Sequence, residues 1–111
     1  MRLLIDTHLL LWAGAQKARV AASAARLMDE AENEVFFSAA SIWEIAIKQR
    51  MESEGPVVNA RLFRQNLLAA GYQELEISGL HAALVQGFPA NHKDPFDRIL
   101  VAQAVVEGCC Y

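Results

Sequence analysis

Cysteine is nearly absent from this sequence, and the two present, Cys109 and Cys110, are adjacent in an apolar run. That placement supports neither a disulfide framework nor the spaced thiols of a zinc site. With no oxidised framework to maintain, a reducing, cytoplasmic location is expected. No apolar run approaches the length needed to span a bilayer, so no membrane partner is expected. Arg2, the leucines after it and Ala13-Gly14-Ala15 imitate a secretory signal, but Asp6 and His8 interrupt its apolar centre. Excess positive charge is also missing. The formal net charge of −3 argues against a protein that coats nucleic acid through a basic stripe. It leaves room for an enzyme whose acidic pocket holds divalent cations and meets phosphate through them. Repeats and low-complexity tracts are absent, and with 54% hydrophobic and 21% charged residues the chain is expected to form a layered globular fold. Its 111 residues suit one domain, here 1–111.

Hydrophobic runs alternate with helical patterns along the chain. Arg2 to Ile5 reads as a buried strand, followed by an apolar turn or short helix at Leu9 to Trp12. An alanine-rich helix is expected over Arg19 to Ala31 and a turn at Asn33-Glu34. Val35-Phe36-Phe37 then has the residue types of a second strand. The next helix starts at Ser38 or Ser41, turns Ile42, Ile45, Ala46 and Met51 inward, and stops by Gly55-Pro56. A helix over Asn59 to Ala70 is expected to bury Leu62, Phe63, Leu67 and Ala70 and to end at Gly71. Leu75-Glu76-Ile77 reads as a third strand, Gly79 to Gln86 as a helix, and Gly87 to Asn91 as a loop. The last helix opens at Pro95, runs to Glu107 and ends at Gly108, and Cys109-Cys110-Tyr111 begins a fourth strand. Alternation of this kind predicts an α/β fold with right-handed crossovers and a mainly parallel sheet covered on both faces. Ligands of such sheets gather at the carboxyl ends of the strands.

Acidic residues stand at just those places. Asp6 closes Leu3-Leu4-Ile5, Glu44 follows the second strand early in a helix, and Asp94 and Asp97 open the last helix within His92-Lys93-Asp94-Pro95-Phe96-Asp97-Arg98-Ile99-Leu100. Each also has a purely structural explanation. Asp6 suits a turn at Thr7 and His8. Ser41-Ile42-Trp43-Glu44 fits a capping box. Asp94, Pro95 and Asp97 suit an N-cap, a first helical position and the positive end of a helix dipole. Capping accounts for each acid singly and for Asp94 in part; it does not account for their convergence. Clustered carboxylates repel one another, whereas Mg²⁺ or Mn²⁺ neutralises them and takes their hard oxygen donors. Of the bases, Lys48 pairs with Glu44 four residues earlier or meets substrate phosphate, as do Lys93 and Arg98. His8 and His92 suit outer positions, since hard cations prefer oxygen to imidazole. Trp12 and Trp43 suit core or interface anchors better than base-stacking platforms.

Three stretches resemble the PIN-domain ribonucleases and, within them, the VapC-like toxins of toxin-antitoxin pairs. They are Leu4-Ile5-Asp6-Thr7-His8, Ser38-Ala39-Ala40-Ser41-Ile42-Trp43-Glu44-Ile45, and His92 through Ala104. The resemblance implies a three-layer α/β/α fold, a metal site at Asp6, Glu44 and Asp97 with Asp94 close by, and Mg²⁺ as cofactor with Mn²⁺ able to substitute. It also implies an RNA substrate, a homodimer and a small antitoxin partner. PIN domains usually continue past the last strand begun here into a turn with a further acid and a final strand, which this sequence lacks after Tyr111. Two functions are therefore expected: a metal-dependent endoribonuclease toxin, or a catalytically weak homologue that mainly binds an antitoxin-like partner. An aspartate phospho-acceptor or a haloacid-dehalogenase-like phosphatase is excluded by Thr7-His8, where those chemistries place further acids.

Overall fold

The computed structural model describes residues 1–15, 26, 28–51, 58–88 and 94–111. Strand β1 is Arg2–Ile5, helix α1 Thr7–Ala15, strand β2 Glu34–Ser38, and helix α2 Ala39–Met51. Helix α3 is Ala60–Ala69, strand β3 Gln73–Leu75, and helix α4 Gly79–Leu84, which runs into a single 3₁₀ turn at Val85–Gly87. Helix α5 is Pro95–Glu107. The alanine-rich helix expected over Arg19 to Ala31 falls largely outside the described residues, as do the stop at Gly55-Pro56 and the end of the loop before Asp94.

Among the described residues the strand pairs are parallel, in the order β1-β2-β3. Cys110 adds a parallel bridge to Leu3 on the other side of β1, so the chain after α5 returns as a fourth strand would. Because side chains alternate across a strand, Leu3, Ile5, Val35 and Phe37 face one way. They join Leu10 and Leu67 in a core that Leu9, Met28, Ile42, Phe63 and Tyr72 cover. Leu4 and Phe36 face the other way and meet Leu100 and Ala104 of α5. Two cores on opposite faces of a parallel sheet make the three-layer α/β/α arrangement expected from the alternation.

Several boundaries differ from the sequence reading. Helix α2 begins at Ala39 because Ser38, not Ser41, caps it: Ser38 Oγ accepts from the Ala40 N–H at 3.0 Å. Ser41 is thereby drawn inside the helix, fully buried, and the capping box with Glu44 does not form. On the same helix Ala46 faces solvent. Strand β3 lies two residues earlier than expected. Gly71, at φ 97°, turns the chain directly into the sheet, and the Leu75 and Glu76 carbonyls are taken by a side chain, Gln103. In α3, capped by Asn59 through the Leu62 N–H, Leu67 is buried and Phe63 packs on the core. Leu62 is 54% exposed, because Phe63 and Leu67, four apart, already define the inward face.

Hydrogen bonds fix how α4 and α5 sit. His81 is buried, its Nδ1 accepting the Ser78 N–H at 3.0 Å while Nε2 meets Glu107 Oε1 at 3.1 Å. An imidazole that accepts at Nδ1 carries its proton at Nε2 and donates it to the carboxylate. Asp94 caps α5 through the Phe96 N–H at 2.9 Å, Pro95 takes the first turn, and Gly108 ends the helix in the left-handed region at φ 68°.

Candidate functional site

The chain leaves β1 at Ile5 and Asp6 turns it into α1, accepting the Leu9 N–H on Oδ1 at 2.7 Å. One oxygen thus caps the first turn of α1, where the sequence suggested a turn at Thr7 and His8. The next residue, Thr7, is buried and donates from Oγ1 to Ser41 Oγ at 3.0 Å. This contact ties the exit of β1 to the first turns of α2, which carries Glu44 on the same face as Ser41, three residues on.

Glu44 is 2% exposed. Its Oε2 receives Lys48 Nζ at 2.5 Å, but Oε1 is buried without any hydrogen-bond partner. A carboxylate oxygen withdrawn from water and left unpaired costs free energy unless a donor or a cation reaches it. Among the described residues only one other buried side-chain atom shares that condition, Arg98 Nε. The rest of the Arg98 guanidinium is held from below: Nη2 donates to the carbonyls of Val85 at 2.9 Å and Phe88 at 3.4 Å.

Asp97 lies exposed in the first turn of α5. Its carboxyl is pushed up from the usual carboxylate range, chiefly by partial burial, then by the charges of Asp94 and Glu44; His8 pulls it down and Asp6 adds to the rise. Asp94, Glu44 and Asp6 therefore stand near enough to Asp97 to oppose its ionisation. A second group reports the same field. Tyr111 donates to Asp97 Oδ1 at 3.5 Å, and its phenol is raised well above the ordinary value by burial, then by Asp97, Asp6 and Glu44. The fold thus brings together the acids singled out in the sequence, although among the described residues no three His, Cys, Asp or Glu side chains are drawn tightly enough to grip an ion. His92 and Lys93 lie outside the described residues, as does the side chain of Trp12.

Asp6, Glu44 and Asp97, on three separate elements, offer hard oxygen donors of the type a divalent cation takes, and Glu44 Oε1 is buried and unpaired, but among the described residues they are not gathered closely enough to form an ion's cage. Sequence reasoning gave no part in the site to four residues that hold this arrangement. Ser38 caps α2 and donates to Gln103 Oε1 at 2.6 Å. Gln103 Nε2 reaches the Leu75 and Glu76 carbonyls at 3.4 and 3.2 Å. Thr7 and Tyr111 complete the set. A polar Gln inside an otherwise apolar helix face was the available signal for Gln103; nothing local marks Tyr111.

The structure is a parallel α/β/α domain with acids near its strand exits, the end of such sheets at which ligands gather. Residues 3–110 match the PIN domain, and the chain belongs to that family, whose members are generally nucleases that use divalent metal ions. No curated protein sequence matches it. Among solved structures, it is similar to a chain in the crystal structure of VapBC2 from Rickettsia felis bound to a DNA fragment from their promoter. The TM-score is 0.68 at 9% identity, covering 98% of this chain and 84% of that one. At that identity the likeness is one of fold.

Proposed function

We propose that this protein is a metal-dependent endoribonuclease of the VapC-like toxin class, hydrolysing RNA phosphodiester bonds with Mg²⁺, or Mn²⁺ in its place, held by Asp6, Glu44 and Asp97. The observation that carries the reading is Glu44 Oε1, buried and unpaired beside carboxylates that already repel one another. When bound, the cation supplies positive charge to the scissile phosphate and a water of lowered pKa, so no protein nucleophile is needed. The chain's own groups do the positioning. Lys48 holds Glu44 Oε2 and so leaves Oε1 for the ion. The Leu9 N–H fixes the Asp6 carboxylate, and Asp94 anchors the turn that presents Asp97.

Lys48 and Lys93 are proposed to meet substrate phosphate, with Arg98 contributing by holding the Val85 and Phe88 carbonyls behind the site. A small antitoxin is the proposed protein partner, supported by the fold likeness to a VapBC2 chain, and the exposed apolar residues suit a homodimer. Among the described residues no helix is long and apolar enough to cross a membrane. The test is cleavage of single-stranded RNA in Mg²⁺ or Mn²⁺. It is expected to stop in EDTA and in Asp97→Asn; cleavage that persists in EDTA would reject the reading.

A further inference from the structure

The exits of β1 and β2 lie side by side. Their parallel register sets Ile5 beside Phe37, so Asp6 follows one strand where Ser38 closes the next, and paired strands stand about 4.8 Å apart. The sheet thus gives α1 and α2 adjoining starts. It does not fix how each helix is turned, and that turn decides how far the Asp6 carboxylate stands from that of Glu44. A directional contact joins the two first turns: Thr7, next to Asp6, donates to Ser41, three residues before Glu44, at 3.0 Å. Both hydroxyls are buried.

We propose that Thr7 and Ser41 are a positioning pair: their hydrogen bond sets the spacing of Asp6 from Glu44 and, through it, the size of cation the site accepts, favouring Mg²⁺ over the larger Ca²⁺. This rests on the metal-dependent reading of the same acids. A buried hydroxyl pair is a poor means of holding two helices together. Each hydroxyl gives up water, the bond returns little beyond that loss, and two apolar side chains of the same shape would serve stability as well. Apolar contact is non-directional, however, whereas a hydrogen bond holds one distance and one angle. What the pair supplies is register. Register matters at this place because Mg²⁺ demands a near-ideal octahedral shell with oxygens at about 2.0–2.1 Å, while Ca²⁺ accepts irregular shells at about 2.3–2.6 Å. The two carboxylates are each already held on one oxygen, Asp6 by the Leu9 N–H and Glu44 by Lys48. A shift of α1 against α2 therefore passes directly to their other oxygens.

The test titrates Mg²⁺ and Ca²⁺ separately into the whole protein by calorimetry, beside urea unfolding in EDTA, for the wild type, Thr7→Val, Thr7→Ser and the double variant Thr7→Val/Ser41→Ala. Thr7→Val strands the Ser41 oxygen and should lower stability; the double variant removes both hydroxyls and should regain it. Metal binding should not follow stability. Mg²⁺ affinity is expected to fall about tenfold in the double variant and Ca²⁺ affinity by a smaller factor, so that the preference for Mg²⁺ shrinks. Thr7→Ser, which keeps the hydroxyl, should restore the wild-type preference. Mg²⁺ affinity that recovers in step with stability, or Mg²⁺ and Ca²⁺ affinities that fall in the same proportion, would overturn the positioning role and leave a purely structural contact. The two readings fail by different results. A wild type that binds neither ion, or binds both equally well as Glu44→Gln, overturns the metal reading and the pair with it, whereas binding that needs Glu44 but is indifferent to Thr7 and Ser41 overturns only the pair.

Discussion

Two polar regions lie near the carboxyl ends of the same parallel strands and treat burial in opposite ways. Around Ser38 and Gln103, both fully buried, the polar side-chain groups find partners. Ser38 Oγ accepts from one group and donates to another, and Gln103 bridges β2, β3 and α5. Around Glu44 and Asp97 the balance is left open, with one buried oxygen unpaired and the Asp97 carboxyl pushed up by partial burial and by its acidic neighbours. A saturated network holds a fold; an unsaturated one is stable only with something still to bind. The difference separates polar residues that keep the architecture from those reserved for a ligand, and substitutions on the two sides should behave differently.

The largest effect belongs to the saturated side. Gln103→Leu keeps similar bulk but strips partners from the Ser38 hydroxyl and from the Leu75 and Glu76 carbonyls. Unfolding by urea should show a loss of about 2–4 kcal/mol, with metal present or absent; a loss under about 1 kcal/mol would mean that water replaces the side chain. Asp6 straddles the comparison, since it both caps α1 and faces the acids. Asp6→Ala should cost about 1 kcal/mol in metal-free protein, and Asp6→Asn far less, because Asn caps a helix as well as Asp does. Both should weaken metal binding. Equal stability loss in the two variants would show that the carboxylate charge, rather than the cap, matters to the fold.

Glu44→Gln should change metal-free stability by less than about 1 kcal/mol. It removes an ion pair between a half-exposed Lys48 and the buried Glu44 carboxylate and at the same time relieves a buried charge beside other acids, so the two changes offset. A loss as large as that of Gln103→Leu would erase the distinction between the two regions. The smallest effect is the pH dependence of the metal-free protein. The folded-state carboxyl of Asp97 is raised above its ordinary 3.8, so the folded protein holds that proton to higher pH than the unfolded chain. Its stabilising contribution is full below the unfolded value and is lost as pH rises through the folded one. Thermal unfolding across mildly acidic pH should show that decline, and Asp97→Asn should flatten it.

Much of this was legible in the chain. Strand β1 and helix α5 have the bounds expected of them, because Asp94-Pro95 at one end and Gly108 at the other punctuate α5 by local chemistry alone. Asp6, Glu44, Asp94 and Asp97 were readable as candidates because each adjoins an apolar element. Readings stayed open, or missed, where two local signals competed or where the deciding partner lies far along the chain. Ser38 and Ser41 both suited an N-cap, and the choice went to Ser38, which also bonds Gln103, a residue 65 positions away. The third strand was placed by the β-formers Leu75 and Ile77, but Gln103 claims the carbonyls that would have continued the ladder. Trp43 suited a core or an interface anchor, and its 60% exposure rules out only the core; its ring contact with Phe96 of a different helix has no local signal. Tyr111 beside Asp97 depends wholly on the parallel return of the chain after α5.

The central claim is that Glu44 is buried with an unpaired oxygen because a cation completes it. Calorimetric titration of Mn²⁺ or Mg²⁺ into the wild type, Glu44→Gln and Gln103→Leu, at a temperature where all three are folded, tests this most directly. Binding should be present in the wild type, lost or strongly weakened in Glu44→Gln, and largely kept in Gln103→Leu despite its lower stability. Unchanged affinity in Glu44→Gln would contradict the account.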